Sequence, residues 1–205
     1  MPQRCPQAEK KARPLDELVK VGVKLYCRDG AAVPLVDFIP VFHRWIQTKA
    51  IPDMLLDVAD YSHVPEGPGV ILVCHEGTYA IDESHGRRGL MYYRRRPVDA
   101  SLTDALRATL KTVVTAGARL EEDLRGSVSF AADELVVFAN DRLLAPNDDK
   151  TRSAFRPYVE ALAREIHPEL TSSFTDETDP RERLAVTIKT PGAPAFAHFA
   201  TRIAG

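Results

Sequence analysis

The strongest constraint on the fold is the apolar stripe in residues 101–125. Leu102, Leu106, Leu110, Val113, Gly117, Leu120 and Leu124 recur at steps of four and three, the spacing that lines one face of an α-helix. Ser101, with Asp104 three residues on, makes an approximate capping box at the start, and Gly126 ends the pattern. Such a face must be covered, either by the chain's own sheet or by a partner. We read it as a core face.

The flanking segments carry the other period. In "LVKVGVKLYC" the residues Val21, Val23 and Leu25 alternate with Lys20, Gly22 and Lys24, which marks a half-buried strand that stops at the turn signal "RDG". An amphipathic helix follows, with Asp37 placed to cap it, Pro40 in its first turn and Phe38, Phe42, Trp45 and Ile46 on one face. "MLLDVADY" reads as a strand and "PEGPG" as a loop. "VILVCHEGTYAID" reads as one long strand interrupted at Gly77, "ESHGRRG" as a hairpin connection and "LMYYRRR" as the return strand. Beyond the long helix, "SVSF" and "ELVVFA" read as two strands separated by "AADE". After the loop "NDRLLAPNDDK" comes a helix carrying Phe155, Val159, Leu162 and Ile166, and then the strands "ELTSSFT" and "RLAVTIKT".

The two halves match in outline. "KLYCRD" precedes "FIPVFHRWI" as "VVFAND" precedes "FRPYVEALA", with a Phe two residues before a first-turn Pro in each helix and a strand pair after it. The expected fold class is α+β: two related β-α-β-β units, about 18–97 and 127–190, joined by the helix 101–125. An antiparallel-rich sheet would carry the helices on one face. Residues 15–190 would form one pseudo-symmetric domain. The first 14 residues are polar and basic with no apolar core of a secretory signal, and read as a disordered arm. Residues 191–205, rich in Ala and Pro, read as a loosely packed tail.

At 205 residues the chain has enough material for such a domain, and 44% hydrophobic and 27% charged residues are ordinary for a globular protein. A net charge of −2 gives no global positive field, so a nucleic-acid partner is not expected. No apolar run reaches the roughly 20 residues that span a bilayer, so no membrane partner is expected either. Cys5, Cys27 and Cys74 are too few and too far apart for a disulfide scaffold or a zinc site.

Chemistry-bearing residues crowd into "HVPEGPGVILVCHEGTYAIDESHGRRG", residues 63–89. The catalytic candidates are His75 and His63 as acid/base groups and Glu76 and Asp82 as carboxylates. Strand periodicity places His75 with Ile71 and Val73 on one face, and Glu76 with Val70, Leu72 and Cys74 on the other. His75 and Glu76 would then pair only if Gly77 formed a bulge. Arg94 and Arg88, from the densest basic run, are candidates to clamp an anionic ligand. Asn140 and Arg142, at the equivalent end of the second unit, are candidates to frame a shared cleft with them. The ligand-spacing motifs of zinc sites, the nucleophile elbow, the P-loop and the dinucleotide fingerprint are all missing, so no metal or cofactor is expected.

The motifs "FIPVFHRWIQ", "DVADYSHVPEGPGV", "HEGTYAID" and "NDRLLAPN" resemble those of an uncharacterised family of bacterial proteins of about 200 residues, over residues 20–190 or so. That resemblance implies a bacterial, cytoplasmic, single-domain protein and no particular activity. The paired units also resemble the vicinal-oxygen-chelate metalloenzymes in element order, without the histidine those place on the first strand of a module. The expectation is a non-catalytic cytoplasmic domain that binds a small ligand, anionic if the arginines hold it, or a protein partner. The alternatives are an enzyme with a cleft between the units, and a homodimeric assembly component.

Overall fold

The computed structural model describes residues 15, 17–28, 33–65, 67–96 and 99–204; the basic arm read at residues 1–14 lies outside them. The strands are β1 (Val21–Cys27), β2 (Leu55–Tyr61), β3 (Gly69–Cys74), β4 (Gly77–Asp82), β5 (Gly89–Arg94), β6 (Phe130–Ala139), β7 (Ser173–Asp176) and β8 (Ala185–Lys189). The helices are α1 (Phe38–Thr48), α2 (Leu102–Asp123), α3 (Asp149–Ile166) and α4 (Phe196–Ala204). The strands form a single open sheet in the order β2-β3-β4-β5-β1-β6-β8-β7, antiparallel at every pairing. This is an α+β fold with its helices on one face of the sheet. Among the described residues no helix is long and apolar enough to cross a membrane.

The stripe of α2 covers the middle of that sheet. Leu106, Leu110, Val113 and Leu120 are buried against Val23 and Leu25 of β1 and Leu90 of β5. Its N-cap forms as the sequence requires, Ser101 Oγ accepting the Asp104 N–H at 3.1 Å and donating to Asp104 Oδ2 at 2.6 Å. Alternation then decides what each face of the sheet receives. Val21, Val23, Leu25, Val70, Leu72, Tyr79, Leu90, Leu135, Val137 and Ile188 point to the helices and join the main core.

Reading outward from the central β1–β6 pair, one wing runs β5-β4-β3-β2 and the other β8-β7. Without the β4–β5 hairpin, the wings reduce to β1-β3-β2 and β6-β8-β7, and β1 and β3 keep the opposed directions of β6 and β8.

Several local expectations are corrected. "VILVCHEGTYAID" is not one strand: β3 ends at Cys74 and β4 begins at Gly77, with His75 and Glu76 forming the turn between them. Conversely "FAADELVVFA" is one strand, β6, with the irregularity taken up where Leu25 and Cys27 shift register against it. Asp37 makes no side-chain cap, because a 3-10 turn over Leu35–Asp37 leads directly into α1. Pro157 sits inside α3, which starts at Asp149, not in its first turn. The 191–205 tail is not loosely packed: α4 buries Phe196 and Phe199 against Phe130 and His167.

Candidate binding cleft on the uncovered face of the sheet

An antiparallel sheet with one face in water is expected to carry polar residues there. This sheet departs from that. The face opposite the helices presents Ile71, Ala80, Met91, Tyr93, Phe138 and Ala185, a second apolar cluster to which, among the described residues, no helix residue belongs. Val73 and Val136 point the same way, half-buried. Gly22 makes this packing possible, because the ring of Phe138 from β6 occupies the space that a Cβ there would need. Arg183 in turn lies over Phe138, its Cζ 4.7 Å from the ring centroid, and donates to Asn140 Oδ1 at 3.3 Å.

A cleft of about 240 Å³ opens on this face, floored by Met91, Val136, Phe138 and Ala185. It crosses the central β1–β6 pair, so both wings of the sheet line it. One end is closed by Lys24, Tyr26, Asp82, Ser84 and His85; the other reaches Arg183, Glu177 and Glu182. Lys24 and Asp82 form an ion pair with both side chains nearly out of solvent, 9% and 6% exposed. Lys24 Nζ also donates to the Arg87 carbonyl at 2.7 Å, and Ser84 Oγ donates to the other oxygen of Asp82 at 2.5 Å. Beside them Arg87 lies 3.6 Å over the Tyr26 ring and forks onto Glu134 at 2.8 and 2.9 Å. The hydrogen bonds from Arg87 hold the Glu134 carboxyl below the usual range, while burial raises the Tyr26 phenol.

The residues picked out in the sequence are divided between the two ends of the sheet. His75 and Glu76 sit together in the β3–β4 turn, His75 Nδ1 2.8 Å from Glu76 Oε1. They are neighbours there, not on opposite faces, and no bulge is needed, because the strand ends before them. Any Cβ at Gly77 would fall 2.4 Å from the Tyr93 carbonyl, so the tight approach of β4 to β5 excludes a side chain at that point. Arg94 donates to Glu76 Oε2 at 3.3 Å, and Asn140 Nδ2 donates to the Arg94 carbonyl at 3.3 Å. Asp82, Arg88 and His63 lie at the far end, beyond the length of β3 and β4, roughly 20 Å for six residues of strand. The four catalytic candidates therefore do not converge.

Nor do the basic candidates form a clamp. Arg88 donates to Glu83 Oε1 at 2.6 Å, and exposed Arg142 to the Pro180 carbonyl at 3.2 Å. A second hollow of about 600 Å³, lined by Tyr61, Val64, Gly69, Glu83 and Arg88 among others, has the paired Arg88 and Glu83 as its charged groups.

Sequence reasoning found Asp82 and missed Lys24. Alternation assigns Lys24 to the face away from the core, where a lysine ordinarily means water. Its burial depends on its cross-strand neighbours, Met91 on one side and Val136 on the other, which only the register supplies. Cys27 and Cys74 are poor nucleophiles by contrast: burial pushes both thiols up to about 11. No protein-family model matches the chain, and no curated protein matches it.

Proposed function

We propose that this protein is a non-catalytic, cytoplasmic binding domain whose ligand lies in the cleft across β1 and β6. One observation carries the reading: a sheet face that no helix covers among the described residues is floored with Met91, Val136, Phe138 and Ala185 instead of polar side chains. The ligand that fits is small, with an apolar body for that floor and a polar end that meets Lys24, Ser84 and Tyr26. The two wings, alike in strand order once the β4–β5 hairpin is set aside, support a duplicated β-α-β-β unit whose halves share the site. The bacterial-family resemblance fits this reading.

The test is untagged protein from its native host, analysed by native mass spectrometry and by the Met91 methyl resonance during ligand titration. Thr187 faces the cleft from β8, half-buried. Thr187→Trp is expected to abolish binding and Thr187→Val to preserve it. Binding that survives Thr187→Trp, or that leaves the Met91 methyl unmoved, rejects the cleft.

A second reading has its own support. A buried ion pair adds little net stability compared with apolar residues of the same size, so Lys24–Asp82 with Ser84 at a cleft end also fits an enzyme. In that enzyme Asp82, not Glu76, is the central carboxylate and His75 takes no part, and turnover in a substrate screen that is lost in Ser84→Ala would favour it.

A further inference from the structure

His167 belongs to neither site and is 2% exposed. It caps the C-terminal end of α3, and its ring is held on three sides. Nε2 lies 3.3 Å from the Ala132 carbonyl of β6, Nδ1 lies 3.2 Å from Arg202 Nη2 on α4, and Phe199 of α4 stacks on the ring at 5.6 Å. Hydrogen-bond chemistry fixes its protonation. A guanidinium can only donate, so Nδ1 must be the acceptor, and the carbonyl requires Nε2 to carry the proton. The imidazole is therefore neutral in this arrangement.

We propose that His167 is an acid-labile latch that fastens the C-terminal helix α4 to the sheet domain. A proton on Nδ1 would point at the Arg202 N–H groups, replacing a hydrogen bond by two facing donors and setting a positive charge on the buried ring beside that of Arg202. From β6 the ring meets the Ala132 carbonyl, and from α4 it meets Phe199 and Arg202; among the described residues Arg202 is the charged side chain that interacts with it. His198, on the same helix, is exposed and points away from this contact set. Burial first, then the Arg202 charge, lowers the His167 pKa against the opposing pull of the Ala132 hydrogen bond. The linkage sign follows. The unfolded or undocked chain binds the proton more readily, so the latch is at full strength above the ordinary imidazole value of about 6.5 and weakens as pH falls below it.

Opening α4 would uncover Phe130, which packs on Phe196. The test follows hydrogen exchange of the α4 amides, corrected for intrinsic rates, from about pH 7.5 to about pH 5. Opening of α4 is expected to rise up to about tenfold per pH unit across the window between the undocked and docked pKa values, the slope of one linked proton. The α2 amides should not follow. His167→Gln supplies a neutral donor and acceptor in similar places and should leave α4 docked with no such slope. A wild-type α4 indifferent to pH, or the same slope in His167→Gln, overturns the latch. If that variant does not fold, the imidazole titration of wild-type His167 decides: a value at or above the ordinary one refutes the proposal, and a depressed value matching the pH at which the rise in α4 exchange levels off supports it.

Discussion

Gly22 and Phe138 show how much of the cleft depends on one missing side chain. A Cβ at position 22 would come within 2.1 Å of Phe138 Cζ, so Gly22→Ala must tilt the ring off the floor. Overpacking of this kind costs about 1–3 kcal/mol, and it should appear as a lower denaturation midpoint with an unchanged m-value. Lys24 and Asp82 make a sharper case, because each is buried and each neutralises the other. Lys24→Met alone strands the Asp82 carboxylate and should cost about 3–5 kcal/mol, whereas Lys24→Met with Asp82→Leu should come close to wild type. A double-mutant cycle by urea unfolding measures the difference. If the single and double variants were equally unstable, the burial of the pair would be incidental. The sequence makes Asp82 visible as one of several carboxylates, but its partner lies 58 positions away and no local pattern links them.

Elements were legible where their signals are local, and were misread where distant contacts supply what the local sequence lacks. The long helix carries its own stripe and its own cap, and it forms where both say it should. The His75–Glu76 turn has no Asn-Gly or Gly-containing pair at its centre. Its backbone is instead held from β5 and just beyond it: Arg95 donates side-chain bonds to the Cys74 and Gly77 carbonyls at 2.9 and 3.3 Å, and the Arg95 and Arg96 N–H groups both reach the Glu76 carbonyl. The arginine run that suggested an anion clamp is thus in large part a clasp on this hairpin. Strand β6 continues through "AADE" because neighbours hold both flanks, the Arg28 N–H on the Ser129 carbonyl and the Thr190 N–H on the Asp133 carbonyl. Helix α4 was hidden by its Pro/Ala lead-in, although Phe196 and Phe199 stand three apart as one helical face requires. Phe199 is fully buried, so Phe199→Ala should lower stability by about 3–5 kcal/mol. A loosely attached tail would give no measurable change in thermal unfolding.

At the scale of the molecule, fold class and the one-sided placement of helices follow from periodicity, but strand order does not. Nothing in the sequence says that the β4–β5 hairpin enters between β3 and β1, because antiparallel neighbours can be inserted without altering either flanking pattern. That insertion widens the sheet to eight strands, while the length of β3 and β4 is what separates His75 from His63 and Asp82. Among the described residues β2 and β7 are the edges of the sheet. Of these β2 is longer and carries exposed Leu56 and Tyr61, the composition that invites strand addition by another chain. It is guarded from within: Asp57 Oδ1 accepts the Val58 N–H at 2.8 Å, so one donor of the edge is already occupied, and Asp57 and Asp60 bring charge to any strand that approaches. The long helix offers no alternative seam, since its stripe is buried in the core. Asp57→Val should therefore remove the guard, free the Val58 donor and extend the apolar edge between Leu56 and Val58. Sedimentation at micromolar concentrations is expected to show a larger species in Asp57→Val than in wild type. Identical sedimentation of the two proteins would mean that the edge is silent for another reason, such as the register shift between Leu55 and Asp57 that already bends β2 away from a flat pairing geometry.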